Sequence, residues 1–166
     1  YTPLHGTGLI PVTAVLDKDG FTQIYVLESQ REPDSAFSTV RSPNPEEKDA
    51  LQLAIAYGQQ IGADLVLGTD PDSDRVGIAV WDGKQFVLLS GNQTGALLAD
   101  YVLSQKELDE KSVVIKTIVT SELGADIAQA HGATVMNVLT GFKYIGEKMI
   151  GFDQQQDHTF IMGYEE

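Results

Sequence analysis

Cysteine is missing from all 166 residues. The chain therefore has no disulfide framework and relies on packing, which suits a cytosolic protein. Long apolar runs are missing as well: none approaches the roughly 20 residues that cross a bilayer. Positive charge is scarce, with 11 Lys and Arg against 24 Asp and Glu and a net charge of -13. That field argues against nucleic acid and against an anionic membrane as partners. It also repels free phosphate esters, so a phosphate ligand here needs a metal or local Lys and Arg to offset it.

What is present is enough to fold. Hydrophobic residues make up 42% of the chain, too many for a disordered segment. The length suits one domain of about 150 residues or two of about 80. Leu9 to Leu16 has helical spacing and stops at Asp17-Lys18-Asp19-Gly20. Gln23 to Leu27 reads as a strand. Asn44-Pro45 is expected to start a helix, with Asn44 as its cap, that Gly62 closes. Asp82-Gly83 marks a hairpin turn. Ser90-Gly91-Asn92-Gln93 is the expected boundary, giving domains 1–89 and 90–166. Beyond it come a helix over Thr94 to Leu103, a strand over Val113 to Lys116 and a helix over Glu122 to His131. A strand over Ala133 to Val138, a short helix over Tyr144 to Ile150 and a strand over Thr159 to Met162 complete the series. Alternating strands and helices in both halves predict α/β layer sandwiches. The end stretches, Tyr1 to Gly8 and Phe160 to Glu166, read as parts of a longer protein.

One stretch stands out chemically: Gly68-Thr69-Asp70-Pro71-Asp72-Ser73-Asp74-Arg75. It lies between two strand-like runs, Ala63 to Leu67 and Val76 to Trp81. Pro71 disfavours helix at the residue before it. In extended backbone alternate side chains share a face, so Asp70, Asp72 and Asp74 can converge. Three like charges repel unless a cation sits among them, and Mg2+ or Ca2+ prefers such oxygen donors. An EF-hand is excluded, because its glycine and glutamate positions hold Arg75 and Trp81. The other reading is a solvated acidic turn, since Asp is common in turns.

Ligands of open α/β sheets sit at the carboxyl ends of strands. Four loops belong there: Asp70 to Arg75, Thr117 to Glu122, Thr140 to Lys143 and Gly163 to Glu166. Thr120 and Ser121 either bind an anion or simply cap a helix. Lys143 either meets a ligand or is solvated. Glu165 and Glu166 either accept hydrogen bonds from hydroxyls or form an acidic turn. His5-Gly6-Thr7-Gly8 is either a phosphate-approaching turn or a plain one.

With these motifs in order, the sequence resembles the α-D-phosphohexomutases, closest to their phosphoglucomutase and phosphomannomutase branch. Asp70-Pro71-Asp72-Ser73-Asp74-Arg75 looks like the family's metal loop. Tyr1-Thr2-Pro3-Leu4-His5-Gly6-Thr7-Gly8 looks like the opening of its second domain, and Leu89-Ser90-Gly91-Asn92-Gln93 like the passage to its third. Lys116-Thr117-Ile118-Val119-Thr120-Ser121 and Thr140-Gly141-Phe142-Lys143-Tyr144-Ile145-Gly146 look like third-domain loops. Gly163-Tyr164-Glu165-Glu166 looks like the start of the sugar loop, where the family continues with a serine. The resemblance implies two tandem three-layer α/β/α sandwich domains with mixed, mainly parallel sheets. It implies Mg2+ on Asp70, Asp72 and Asp74, with Arg75 beside the reacting phosphate. It implies a sugar phosphate held by Glu165, Lys143, Thr140 and Gly141. It further implies first and fourth domains as partners in the same chain. The family's Ser-His-Asn-type phosphoserine motif has no counterpart among these residues, so they are expected to be inactive alone.

Within the resemblance a phosphoglucomutase is expected first, then a phosphomannomutase or phosphopentomutase. Two other classes compete. One is a non-catalytic module that binds metal or sugar phosphate. The other is a Mg-dependent phosphatase with an aspartate nucleophile, which the third acid and Arg75 fit poorly.

Overall fold

A computed structural model describes residues 1–166. The chain divides into two compact units, Tyr1–Ser90 and Gly91–Glu166.

The first unit opens with helix α1 (Leu9–Lys18), followed by a short 3-10 turn at Glu28–Gln30 and helix α2 (Lys48–Ile61). Strands β1 (Leu65–Thr69), β2 (Val76–Trp81) and β3 (Phe86–Leu89) form an antiparallel sheet in that order. A parallel bridge joins Thr2 to Gly68 on the free edge of β1. The core is Ala54 of α2 with Val66 and Ala79 of the sheet, packed by Leu27, Ile55, Phe86 and Leu88. Helix α1, by contrast, buries no residue fully.

Two local expectations change here. Helix α2 begins at Lys48, not at Asn44-Pro45. Asn44 instead closes a preceding turn: its side chain accepts from the Glu46 N–H at 3.1 Å, and its carbonyl from the Glu47 N–H at 3.0 Å. The Asx turn satisfies the donors that a cap would have taken. Gln23 to Leu27 forms no ladder strand. It bonds to Tyr1 through Tyr25 and Leu27, and the Leu27 carbonyl also accepts the Gln30 N–H at the start of the 3-10 turn. Gly62 does close α2, in the left-handed conformation.

The second unit runs α3 (Gly91–Ser104), β4 (Ser112–Thr117), α4 (Leu123–Ala130), β5 (Thr134–Val138), α5 (Phe142–Gln155) and β6 (Thr159–Tyr164). Its sheet is parallel throughout, ordered β5-β4-β6. Every residue of the central strand β4 is buried, as expected for a parallel strand covered on both faces. Its side chains alternate. Val114 packs with Ala99 and Leu103 of α3 and Ala128 of α4. Val113 and Ile115 pack with Ile145 and Phe152 of α5. That alternation builds three layers, helices on either side of the sheet. Helix α5 is twice the length its sequence suggested, because Ile145 and Phe152, seven residues apart, share one buried face. Across the chain the α/β class holds, with parallel and antiparallel pairing mixed.

Candidate metal centre and ligand-binding loops

Strand β1 ends at Thr69 and β2 resumes at Val76, so Asp70 to Arg75 is the hairpin loop between them. Asp70 is 1% exposed. A lone buried carboxylate is costly, and Arg75 offsets that cost twice. Its backbone N–H donates to one Asp70 oxygen and its Nε to the other, both at 3.0 Å. The Asp70 backbone also orders the loop, since its carbonyl accepts the Ser73 N–H at 3.0 Å. Ser73 takes a positive φ of 67°, which turns the chain so that Asp72 and Asp74 come back beside Asp70.

One oxygen from each of Asp70, Asp72 and Asp74 lies within 4.8 Å of the other two. Asp70 is buried, while the other two are exposed. Charge records the crowding. Burial would raise the Asp70 carboxyl, but hydrogen bonds and charge from Arg75 hold it below the usual carboxylate range. Asp74 is pushed up by the negative charges of Asp70 and Asp72. Arg75 reaches Asp74 only at 3.9 Å, and its guanidinium is half-exposed. Three convergent carboxylates with one guanidinium leave unbalanced negative charge. This donor set fits a hard divalent cation and could hold a metal ion.

The Tyr1 to Gly8 stretch supports this loop. The Thr7 N–H and hydroxyl both donate to the Pro71 carbonyl, at 2.8 and 3.1 Å. A Cβ on Gly6 would sit 2.3 Å from the Pro71 backbone, and one on Gly8 2.3 Å from the Ser73 hydroxyl. Glycine is required at both places for close approach. Composition gave a choice between a plain turn and an anion site; the structure gives a buttress for the carboxylate loop. His5 is buried, and its two ring nitrogens pair with the Glu32 carbonyl and the Thr39 hydroxyl.

In the second unit, loops after β4, β5 and β6 meet. The Gly141 N–H donates to a Glu165 carboxylate oxygen at 2.6 Å. Gly141 precedes α5 with φ 120°, a conformation other residues rarely adopt. The sequence-selected residues Thr140, Gly141, Lys143 and Glu165 thus gather at the start of α5 and the end of β6. Thr140 and Lys143 are exposed there, and the Lys143 ammonium lies 4.8 Å from the centre of the Tyr144 ring. Thr120 is buried; its hydroxyl pairs with that of Thr117 at 2.8 Å and accepts the Glu166 N–H at 3.2 Å. The Ser121 hydroxyl accepts from the Leu123 N–H, a two-residue turn one position ahead of the α4 N-cap, Glu122.

Two contributors escaped the sequence. Asn92 accepts from the Ser121 N–H at 2.6 Å and donates to a Glu166 carboxylate oxygen. In the sequence it marks only the expected domain boundary. Lys116, which the sequence places at the end of an apolar strand and at the head of a third-domain loop motif without a role of its own, is fully buried. A lysine closing a buried run was the available signal, because such a charge needs partners.

Comparison with known proteins gives a consistent picture. Residues 1–83 match the family model of phosphoglucomutase/phosphomannomutase, alpha/beta/alpha domain II, and residues 90–166 that of domain III. The chain is 41% identical over its full length to a phosphoglucomutase of Staphylococcus haemolyticus, of which it covers 30%. It is 38% identical over 96% of its length to a phosphoglucomutase of Staphylococcus aureus, of which it covers 29%. The chain therefore spans under a third of the curated relatives it matches. A phosphoglucomutase/phosphomannomutase family protein of Burkholderia thailandensis shares the fold with a TM-score of 0.71 at 18% identity, over 96% of this chain and 32% of that one.

Proposed function

The chain belongs to the phosphoglucomutase/phosphomannomutase family, and from that premise we propose that it supplies the second and third domains, 1–89 and 90–166, of a phosphoglucomutase. The reaction interconverts glucose 1-phosphate and glucose 6-phosphate through a phosphoserine and a bisphosphorylated sugar. First and fourth domains of the same protein supply the serine and further phosphate contacts. The observation that carries this reading is the convergence of three carboxylates beside Arg75 on one buttressed hairpin, in a chain whose relatives are phosphoglucomutases.

Asp70, Asp72 and Asp74 would hold Mg2+, whose positive charge would offset that of a transferring phosphoryl group. Arg75 does two jobs. Its Nε fixes Asp70, and the exposed part of its planar guanidinium offers donors to a phosphate. Glu165 spends one oxygen on Gly141 and keeps acceptor capacity for a pair of sugar hydroxyls. Reading a hydroxyl pair common to both orientations of the sugar admits either phosphate to the reacting position. Thr140, Gly141 and Lys143 align the ligand beside that carboxylate.

The test is an assay of the full-length protein with glucose 1-phosphate and, in parallel, mannose 1-phosphate. Mg2+-dependent formation of glucose 6-phosphate, faster than turnover of the mannose ester, is expected. No conversion of either ester sinks the reading. A mannose preference moves it to phosphomannomutase.

A further inference from the structure

Lys116 is the largest fully buried side chain in the protein. It lies on the central strand β4, directly after Val113, Val114 and Ile115. An unpaired ammonium there would be strongly unfavourable, so its partners define its role. Its Nζ donates to the Thr120 carbonyl at 2.9 Å and to a Glu122 carboxylate oxygen at 2.8 Å. A longer contact, 3.5 Å, reaches the Thr117 carbonyl. Thr117 ends β4, and the other two acceptors lie on the loop that follows it. The Glu122 side chain is 70% exposed, so the pair is anchored from inside by the lysine.

That loop touches the end of β6. Thr120, whose carbonyl Lys116 holds, uses its hydroxyl to accept the Glu166 N–H. Ser121 is bound through its N–H to Asn92, which also donates to the Glu166 carboxylate. Glu165, next in the chain, is bound to Gly141. A continuous path of hydrogen bonds thus runs from the buried ammonium to the carboxylate pair.

We propose that Lys116 is a positioning residue: its ammonium curls the Thr117–Glu122 loop into the shape that docks Glu166 and so sets Glu165 against Gly141. The substrate consequence rests on the functional reading above, because Glu165 is taken there as the hydroxyl acceptor. The geometric part does not. Lysine suits the task because three rotatable donors on a flexible stem can gather two backbone carbonyls and a carboxylate at once.

Two measurements separate these parts. In the 166-residue chain, Lys116→Met keeps the volume and removes the donors. Amide exchange at Ser121, Gly141 and Glu166 is expected to speed up about tenfold. Glu122→Ala should act in the same direction. Glu122→Gln, whose amide oxygen still accepts from Nζ, should stay near the parent. Unchanged exchange at all three amides in a folded Lys116→Met chain overturns the proposal; if that variant does not fold, unchanged exchange in Glu122→Ala does so. In the full-length protein, Lys116→Met is expected to raise the KM for glucose 1-phosphate about tenfold and change kcat little. An unchanged KM beside faster exchange overturns the link from Lys116 to the substrate. A parent enzyme with no mutase activity, beside faster exchange, overturns the functional reading and leaves the positioning role standing.

Discussion

Each unit buries one charge at the carboxyl end of a strand, and the two are held in opposite ways. Asp70 in the first unit is fixed by Arg75, five residues along the same hairpin. Lys116 in the second is fixed by a loop whose outer contacts reach Asn92 and Glu166, far away in sequence. The carboxylate loop takes its charge partner locally, from one turn and its own arginine, and only its backing at Gly6 to Gly8 comes from a distant stretch. The Glu165 site is non-local, set by three strand ends brought side by side in a parallel sheet. A charge paired within its own hairpin fails first when the hairpin's own residues are altered. A non-local site fails when any of its loops shifts.

The largest expected effect breaks the local site at its centre. Asp70→Ala leaves Arg75 without its partner and removes a candidate metal ligand. Turnover by the full-length enzyme should fall at least about 100-fold, and the first unit should lose about 2 kcal/mol in urea unfolding. Activity near the parent would show that the buried carboxylate is only structural. Next comes Gly141→Ala, which strains the backbone before α5 by about 1–3 kcal/mol. Its signature is non-local: the KM for the sugar phosphate rises while Mg2+ binding to the carboxylate loop stays put. A fall in Mg2+ affinity would blur the comparison.

A smaller effect tests the metal assignment directly. Calorimetry should show weak Mg2+ binding by the chain, cut about tenfold or more by Asp72→Ala. Equal binding by both would leave the three acids as a solvated turn. The smallest effect is in pH. The Asp70 carboxyl sits below its ordinary value. Its contribution to stability is therefore present above the unfolded value of about 4 and is lost as pH falls through the lower folded one. Asp74 is raised, so its ionisation costs stability above its folded value and the cost fades on acidification. Mg2+ affinity should accordingly drop as pH falls through the Asp74 value, and a Mg2+ titration between pH 4 and 7 reads it. Outside both sites, Asp34 accepts from Ser38 and Ala36, first from the Ser38 hydroxyl, and its carboxyl is held down at about 2. Carbon NMR of that carboxyl gives the reference against which the loop acids are compared.

The sequence by itself determined what depends on neighbours in the chain. Alternating acids after an apolar run, with an arginine next, mark a strand-end loop that could hold a cation, but the acids converge through a turn, with Ser73 at φ 67°, and not through the extended backbone that the spacing suggests. Helical spacing and glycine stops placed α1, α2, α3 and α4 within a few residues, with Asn44 the exception, since an Asx turn and a helix cap use the same side chain. Tertiary structure alone decided the rest. It paired β1 to β3 antiparallel and β4 to β6 parallel, and it kept Gln23 to Leu27 out of any ladder. It turned His5 to Gly8 into a support for the carboxylate loop, and it made Asn92 and Lys116 the fasteners of Glu165 and Glu166. Those roles rest on hydrogen bonds that join distant stretches of the chain. Such partners are fixed only when sheet register brings strand ends together, so one-dimensional spacing carries no record of them.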